Sequence, residues 1–277
     1  MRGFVTALIA LFLVSTAAMA APAADLWPRW QAHDEDSTAT IDHAAYDAFL
    51  RNYVVEHEHA PNGVRYDAVS AADHAKLKSY IQAMQKVDID DYNRDVQRAY
   101  WINLYNALTL DLVLDAYPVD SIRDIGDGLF SSGPWKKRYL RVDGEKLSLN
   151  DIEHRILRPI WRDGLTHYGV NCASLSCPDL SAKGYTGDNV YTLLRENARD
   201  YVNSAAGLAF NDNDDLVVSK IYEWYGKDFG DSDRAIISHL RRFADPMLSV
   251  RLDMRSNIED YGYDWSLNDE AAIDTKE

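Results

Sequence analysis

The only two cysteines of the chain lie in one short segment, His167-Tyr-Gly-Val-Asn-Cys172-Ala-Ser-Leu-Ser-Cys177-Pro178. A thiol among small residues in a turn can have a lowered pKa and an open approach for a substrate, so Cys172 is the candidate nucleophile of an acyl transfer. His167 is the nearest candidate base. On one continuous strand residues five apart point to opposite faces, so His167 and Cys172 meet only if the strand breaks, with Asn171 the natural place. The competing reading is a structural Cys172–Cys177 disulfide that pins a loop and contributes about 2 kcal/mol in the loop-entropy model. The C-x4-C spacing is not that of a C-x-x-C redox motif, which ranks thiol–disulfide exchange third. Two thiols with no ligand-spaced histidine pair make a poor zinc site, and no metal or other cofactor is expected.

The second reactive group of residues is Ser148-Leu-Asn-Asp-Ile-Glu153-His154-Arg-Ile-Leu. At helical spacing Glu153 falls inside the apolar arc of Leu149, Ile152, Ile156 and Ile160, whereas His154 falls about 100° away from it. A carboxylate aimed at the core needs a partner. That partner is either a catalytic imidazole, which Glu153 would orient as the acid of a Cys-His-acid triad, or an arginine. Adjacent helical residues do not face each other, so Glu153 should not orient His154 directly, and His154 remains an alternative base. Asn103 and Asn106 share one face of an apolar helix. Their amides must be hydrogen-bonded there, either to hold the cysteine loop or to offer a donor to an oxyanion. His57 and His59 read as a solvated helix end. Asn211 to Asp215 lacks the glycine of a calcium loop and reads as a hairpin turn.

Several elements must position these groups. Residues 94–117 are apolar on nearly every face and predict a buried central helix ended by Tyr117-Pro118. Amphipathic helices are expected over 41–59 and 71–86, with a short strand at 64–66 between them after Pro61-Asn62-Gly63. A hairpin turns at Asp143-Gly144, and Ser148 caps the helix that carries Glu153. Residues 166–172 alternate weakly and read as a strand. Helices follow at 188–205 and 232–249, separated by a hairpin over 207–218. The expected fold is α+β: a mostly helical single domain around the 94–117 helix, with a small antiparallel sheet.

The ends and the composition set the context. Residues 1–20 carry Arg2, an apolar stretch of signal-peptide length and Ala18-Met19-Ala20, which together predict a secretory signal cleaved before Ala21 and a periplasmic or secreted protein. No later segment is long and apolar enough for stable membrane insertion. Residues 21–40 read as a linker and loose lead-in, the domain as 41–268, and 269–277 as a disordered tail. With 29 basic against 44 acidic residues the formal charge is −15, which disfavours nucleic acid as a partner.

Four ordered blocks resemble the signatures of the domain-of-unknown-function 547 family: Ala99–Leu108, Leu147–His154, His167–Pro178 and Tyr263–Asn268. Gly63-Val-Arg-Tyr66 is similar to its upstream block, so the resemblance spans residues 41–268. It implies a single-domain protein, often exported in bacteria, and its His-to-Cys segment invites comparison with papain-like and transglutaminase-like thiol enzymes. Those place the nucleophile before the histidine and the acid, so the order here implies a permuted arrangement. Alternatively, Asn103 stands where the nucleophile would be and the domain is not catalytic. The expected function is a cysteine-dependent hydrolase acting on a peptide or amide, with Cys172 as nucleophile, His167 or His154 as base, Glu153 as acid and Asn103 in the pocket. The alternative is a non-catalytic binding or scaffold domain with a Cys172–Cys177 disulfide.

Overall fold

A computed structural model describes residues 22–58, 60–126 and 133–273. The expected signal segment, residues 1–20, lies outside the described residues, as does His59. Helix α1 (Ala44–Tyr53) runs into strand β1 (Val54–Val55), which pairs with β2 (Gly63–Val64), and α2 (Ala71–Met84) follows behind its Ser70 cap. The central helix α3 (Arg94–Ala116) starts at Asn93, whose side chain accepts from the Val96 N–H at 3.0 Å. From Val96 to Leu110 every α3 residue is buried. A helix apolar all round survives in water only when other elements cover every side. α2 packs on one flank of α3, and α1 packs on α2.

Strands β3 (Leu140–Val142) and β4 (Glu145–Leu147) form the expected hairpin. Asp143 and Gly144 both have positive φ, 44° and 76°, the backbone that matches a tight turn to the twist of its strands. Ser148 then begins α4 (Leu149–Ile152) with a complete capping box to Asp151. The helix widens into a π-helical turn over Glu153–Leu157 before resuming as α5 (Arg158–Trp161).

Pro159 gives the physical reason for that widening. It has no N–H to donate to the preceding turn, and its ring crowds the carbonyl there. The Arg158 N–H reaches back to the Glu153 carbonyl, and two carbonyls are left without helical donors. Those of His154 and Arg155 accept instead from the backbone N–H groups of Asp25 (2.9 Å) and Trp27 (3.0 Å). The expected loose lead-in is therefore docked, with Trp30 buried to 2 % exposure.

The expected strand over 166–172 does not form. A 3-10 helix spans Gly164–Tyr168, and the chain continues as a loop through Cys177. α6 (Val190–Val202) is followed by β5 (Leu208–Phe210), β6 (Leu216–Ser219) and α7 (Lys220–Trp224). The single helix expected over 232–249 is two, α8 (Asp233–Arg241) and α9 (Pro246–Asp253), because Pro246 has no N–H for a continuous helix and Asp245 caps a new one. β7 (Asp260–Gly262) lies parallel to β6, so one of the three small sheets adds a parallel pair to antiparallel ones. The expected disordered tail is ordered through α10 (Glu270–Ile273), with Ile273 buried and Glu270 bonded to His57 at 3.0 Å.

The fold is mostly helical α+β, with two hydrophobic cores. One surrounds α3. The other gathers Tyr168, Tyr201, Leu208, Val218, Tyr222, Leu240 and Leu252. α6 joins them, with Val190, Leu193 and Leu194 in the first core and Ala198, Tyr201 and Val202 in the second. Among the described residues no helix is long and apolar enough to cross a membrane.

Candidate functional site

A cavity of about 470 Å³ opens between the two cores. Cys172, Cys177, Glu153, His154 and His167 all line it, with Tyr105, Tyr225 and Tyr263 and the indoles of Trp135, Trp224 and Trp265. The chain thus brings four of the five expected site residues to one space. Asn103 is the exception and must be corrected. Its Nδ2 donates to the Tyr185 carbonyl (2.7 Å) and its Oδ1 accepts from the Tyr185 N–H (3.0 Å), so it holds backbone away from the cavity. Asn106 is the amide that secures the cysteine segment, donating to the Gly169 carbonyl at 2.8 Å and accepting from the Asn171 N–H at 2.9 Å.

The thiol wall is a short loop held at both ends. The Asn171 side chain accepts from the Ala173 N–H and donates to the Pro178 carbonyl, clipping the loop shut. Residues 173–176 are zipped to residues 264–268 by backbone hydrogen bonds, including Leu175 N–H to Ser266 O at 2.9 Å. A turn from the Ser174 carbonyl to the Cys177 N–H (3.0 Å) then folds the second cysteine back onto the first. Both cysteines are free thiols, their sulfurs 3.0 Å apart, and the Cys172 N–H points at the Cys177 sulfur (2.9 Å). The Ser174 and Tyr263 hydroxyls lie 3.3 and 3.2 Å from the Cys172 sulfur.

These contacts favour a thiolate at Cys172. Hydrogen bonding from Cys177 outweighs the opposing effect of burial and, with Ser174 and Tyr263, holds the Cys172 thiol below its ordinary value. Burial, and then the neighbouring Cys172, push the Cys177 thiol well above its own.

The opposite wall is a network of imidazoles and carboxylates. His154 falls off the apolar arc of an ideal helix, yet it is buried to 3 % exposure. The π turn rotates it inward, and residues 22–30 cover the side it would otherwise expose. Its Nδ1 accepts from the Arg158 guanidinium at 3.1 Å, which places its proton on Nε2. Nδ1 therefore donates nothing to Glu153, although Glu153 Oε1 is 3.8 Å from it. Burial lowers the His154 pKa and keeps the ring neutral. His167 donates from Nε2 to Asp228 Oδ2 (2.8 Å), leaving its Nδ1 turned to Glu153 Oε1 at 3.8 Å. Its ring stacks on Tyr225 with 4.3 Å between centroids.

Glu153 sits between the two imidazoles, and the Tyr105 hydroxyl donates to its Oε2 at 3.2 Å. Of the two expected partners, imidazole and arginine, the first is present. The nearby guanidinium, Arg158, pairs instead with Asp228 at 2.5 Å. Burial opposes the charge on Asp228, but hydrogen bonds from His167 and Arg158 overcome it and hold the carboxylate at about 2. Asp228 thus orients His167, the part expected of Glu153. Nothing in the spacing of Gly226-Lys-Asp-Phe-Gly230 marks it, because it meets His167 only through tertiary packing. His239 is also buried, and it is bonded to the Tyr168 hydroxyl at 2.8 Å.

Among the described residues the Cys172 sulfur has no hydrogen bond to either imidazole; its partners are Cys177, Ser174 and Tyr263. Residues 89–202 match the family model described as "Protein of unknown function, DUF547". This stretch is a DUF547 domain. It supplies α3, the π turn, the 3-10 helix with His167 and the cysteine loop, and so both chemically active walls. Tyr225, Tyr263 and the indoles of Trp224 and Trp265 come from the chain after the DUF547 match and line the same cavity, and Asp228, which holds His167, also lies after it. No curated protein and no solved structure matches the chain.

Proposed function

We propose that the DUF547 cavity performs cysteine-dependent acyl transfer, with hydrolysis of a peptide or amide as the net reaction. The supporting observation is one cavity lined on one side by a thiol with a lowered pKa and on the other by two imidazoles and a carboxylate. A scissile carbonyl fits between the walls. Cys172 attacks it as a thiolate already stabilised by hydrogen bonds, so no base need touch the sulfur in the empty site. The leaving amine takes its proton from the imidazole wall, where His167 is oriented by Asp228 and faces Glu153; water then attacks the thioester carbonyl, returns a proton to that wall, and the C–S bond breaks to release the acid and the Cys172 thiolate. The indoles of Trp135, Trp224 and Trp265 offer flat apolar surfaces to the groups flanking the carbonyl. Export, directed by residues 1–20, is part of the same proposal.

The test is a covalent one. The reduced protein is mixed with p-nitrophenyl acetate, and an acyl adduct on Cys172 is sought by mass spectrometry beside the nitrophenol burst. We expect an adduct in the wild type and none in Cys172→Ala. An undiminished burst from Cys172→Ala would end the proposal.

The lack of a hydrogen bond between the Cys172 sulfur and either imidazole, among the described residues, favours a second reading, in which the aromatic-walled cavity binds a ligand without reacting with it. Absence of any acyl adduct in the folded wild type would favour that reading.

A further inference from the structure

The spacing of the two cysteines argues against redox chemistry, but their placement argues for it. Dithiol exchange needs an attacking thiol that a partner can reach, a resolving thiol that waits beside it, and a scaffold that holds the two sulfurs together. Cys172 lines the cavity and is partly exposed. Cys177 is buried to 6 % exposure, with its sulfur 3.0 Å from that of Cys172. The turn from Ser174 to Cys177 and the Asn171 clip hold that geometry without a helix, which is how a C-x4-C segment reaches what a C-x-x-C motif reaches on a helical turn. We infer that Cys172 and Cys177 form a thiol–disulfide exchange couple, with Cys172 attacking, Cys177 resolving and an external disulfide or dithiol as co-reactant.

The steps balance. The Cys172 thiolate attacks one sulfur of an external disulfide; that S–S bond breaks, one thiolate leaves, and a mixed disulfide remains on Cys172. Cys177 gives its proton to the departed thiolate and attacks the Cys172 sulfur. The mixed S–S bond breaks, the second thiolate leaves and takes a proton from solvent, and the Cys172–Cys177 bond forms. The external disulfide has been reduced to two thiols and the cysteine pair oxidised by the same two electrons; the reverse reaction reduces the pair with an external dithiol. The order of attack follows from the contacts, because a thiolate at Cys172 is held by Cys177, Ser174 and Tyr263, whereas Cys177 is shielded and kept protonated. Closing the bond also removes the nucleophile of acyl transfer. That consequence rests on the function proposed above, whereas the exchange itself does not.

The experiment uses the folded, fully reduced chain and oxidised glutathione, read by intact-mass spectrometry after acid quench. The wild type should end without glutathione and with both thiols lost to a maleimide. Cys177→Ser should stop at one stable glutathione adduct, and Cys172→Ser should react far more slowly than either. Dithiothreitol should restore both thiols in the wild type. Two results would overturn the inference: a wild type that accumulates a lasting glutathione adduct, or a Cys172→Ser chain modified as fast as the wild type. Circular dichroism of the variants shows whether each retains the fold, and the wild-type result stands without them. A chain that closes the bond yet forms no acyl adduct would uphold this inference and reject acyl transfer; the opposite pattern would do the reverse.

Discussion

The two walls of the cavity solve the same problem, burying reactive groups, by different means. The thiol wall uses neutral hydrogen-bonding groups on two loop segments: Cys177, Ser174 and Tyr263 surround one sulfur. The imidazole wall uses charges on rigid elements: Asp228 holds His167 and Arg158, and Glu153 lies between two rings. A neutral hydrogen bond contributes about 1 kcal/mol and tolerates loss. A buried ion pair costs several kilocalories per mole when one partner is removed. The difference teaches where chemistry can be changed cheaply and where it is tied to folding: reactivity at Cys172 should be tunable, whereas the opposite wall should behave as part of the core.

Acid should separate the walls most widely. Burial lowers the pKa of His154, and those of His239 and His43 to about 4, from an ordinary 6.5. A depressed folded-state pKa means stability that is present above pH 6.5 and lost as pH falls toward 4, at about 3 kcal/mol for each imidazole held near 4. Asp228, held at about 2, adds a further loss as pH drops from 3.8 toward 2. The thermal midpoint should therefore fall in that order. A midpoint flat from pH 7 to 4 would contradict the buried neutral imidazoles.

Next in size is Asp228→Ala, which strands Arg158 and His167 and should cost about 3–5 kcal/mol in urea unfolding. Ser174→Ala should cost under about 1 kcal/mol in the same assay. Equal losses would erase the distinction between the walls. Tyr263→Phe should leave the fold intact and raise the Cys172 pKa, seen as a shift of the iodoacetamide rate profile to higher pH. An unmoved profile would show that the hydroxyl does not act on the sulfur. The smallest change is expected from Pro159→Ala, which returns an N–H to the widened turn. Stability should move by less than about 1 kcal/mol, but amide exchange at Asp25 and Trp27 should speed up as their acceptors are taken back into the helix.

Much of the fold was legible along the chain. The 94–117 stretch reads as a buried helix because its apolar residues leave no polar face, and it spans Arg94–Ala116. Asp143-Gly144 reads as a turn, and Ser148 as a cap, because those residue types satisfy local backbone geometry. The 166–172 strand failed because weak alternation was outweighed by Asn106 and Asn171, which bind that backbone from elsewhere in the chain. The 232–249 helix failed at Pro246, where a local rule was available and outvoted by periodicity.

The candidate site divides along the same line. Residue types alone singled out Cys172, His167, Glu153 and His154, since thiols, imidazoles and a carboxylate on an apolar arc are each conspicuous in one dimension. Their convergence, the inward turn of His154 and the exclusion of Asn103 were tertiary decisions. So was the part played by Asp228, sixty-one residues from the ring it orients. Which groups can react and which helix must be central are written in the linear chain, because both depend on chemistry and spacing within one segment. Which thiol faces the cavity, which is shielded and which carboxylate holds the imidazole are set by folding, because those depend on distances between segments that the linear order leaves free.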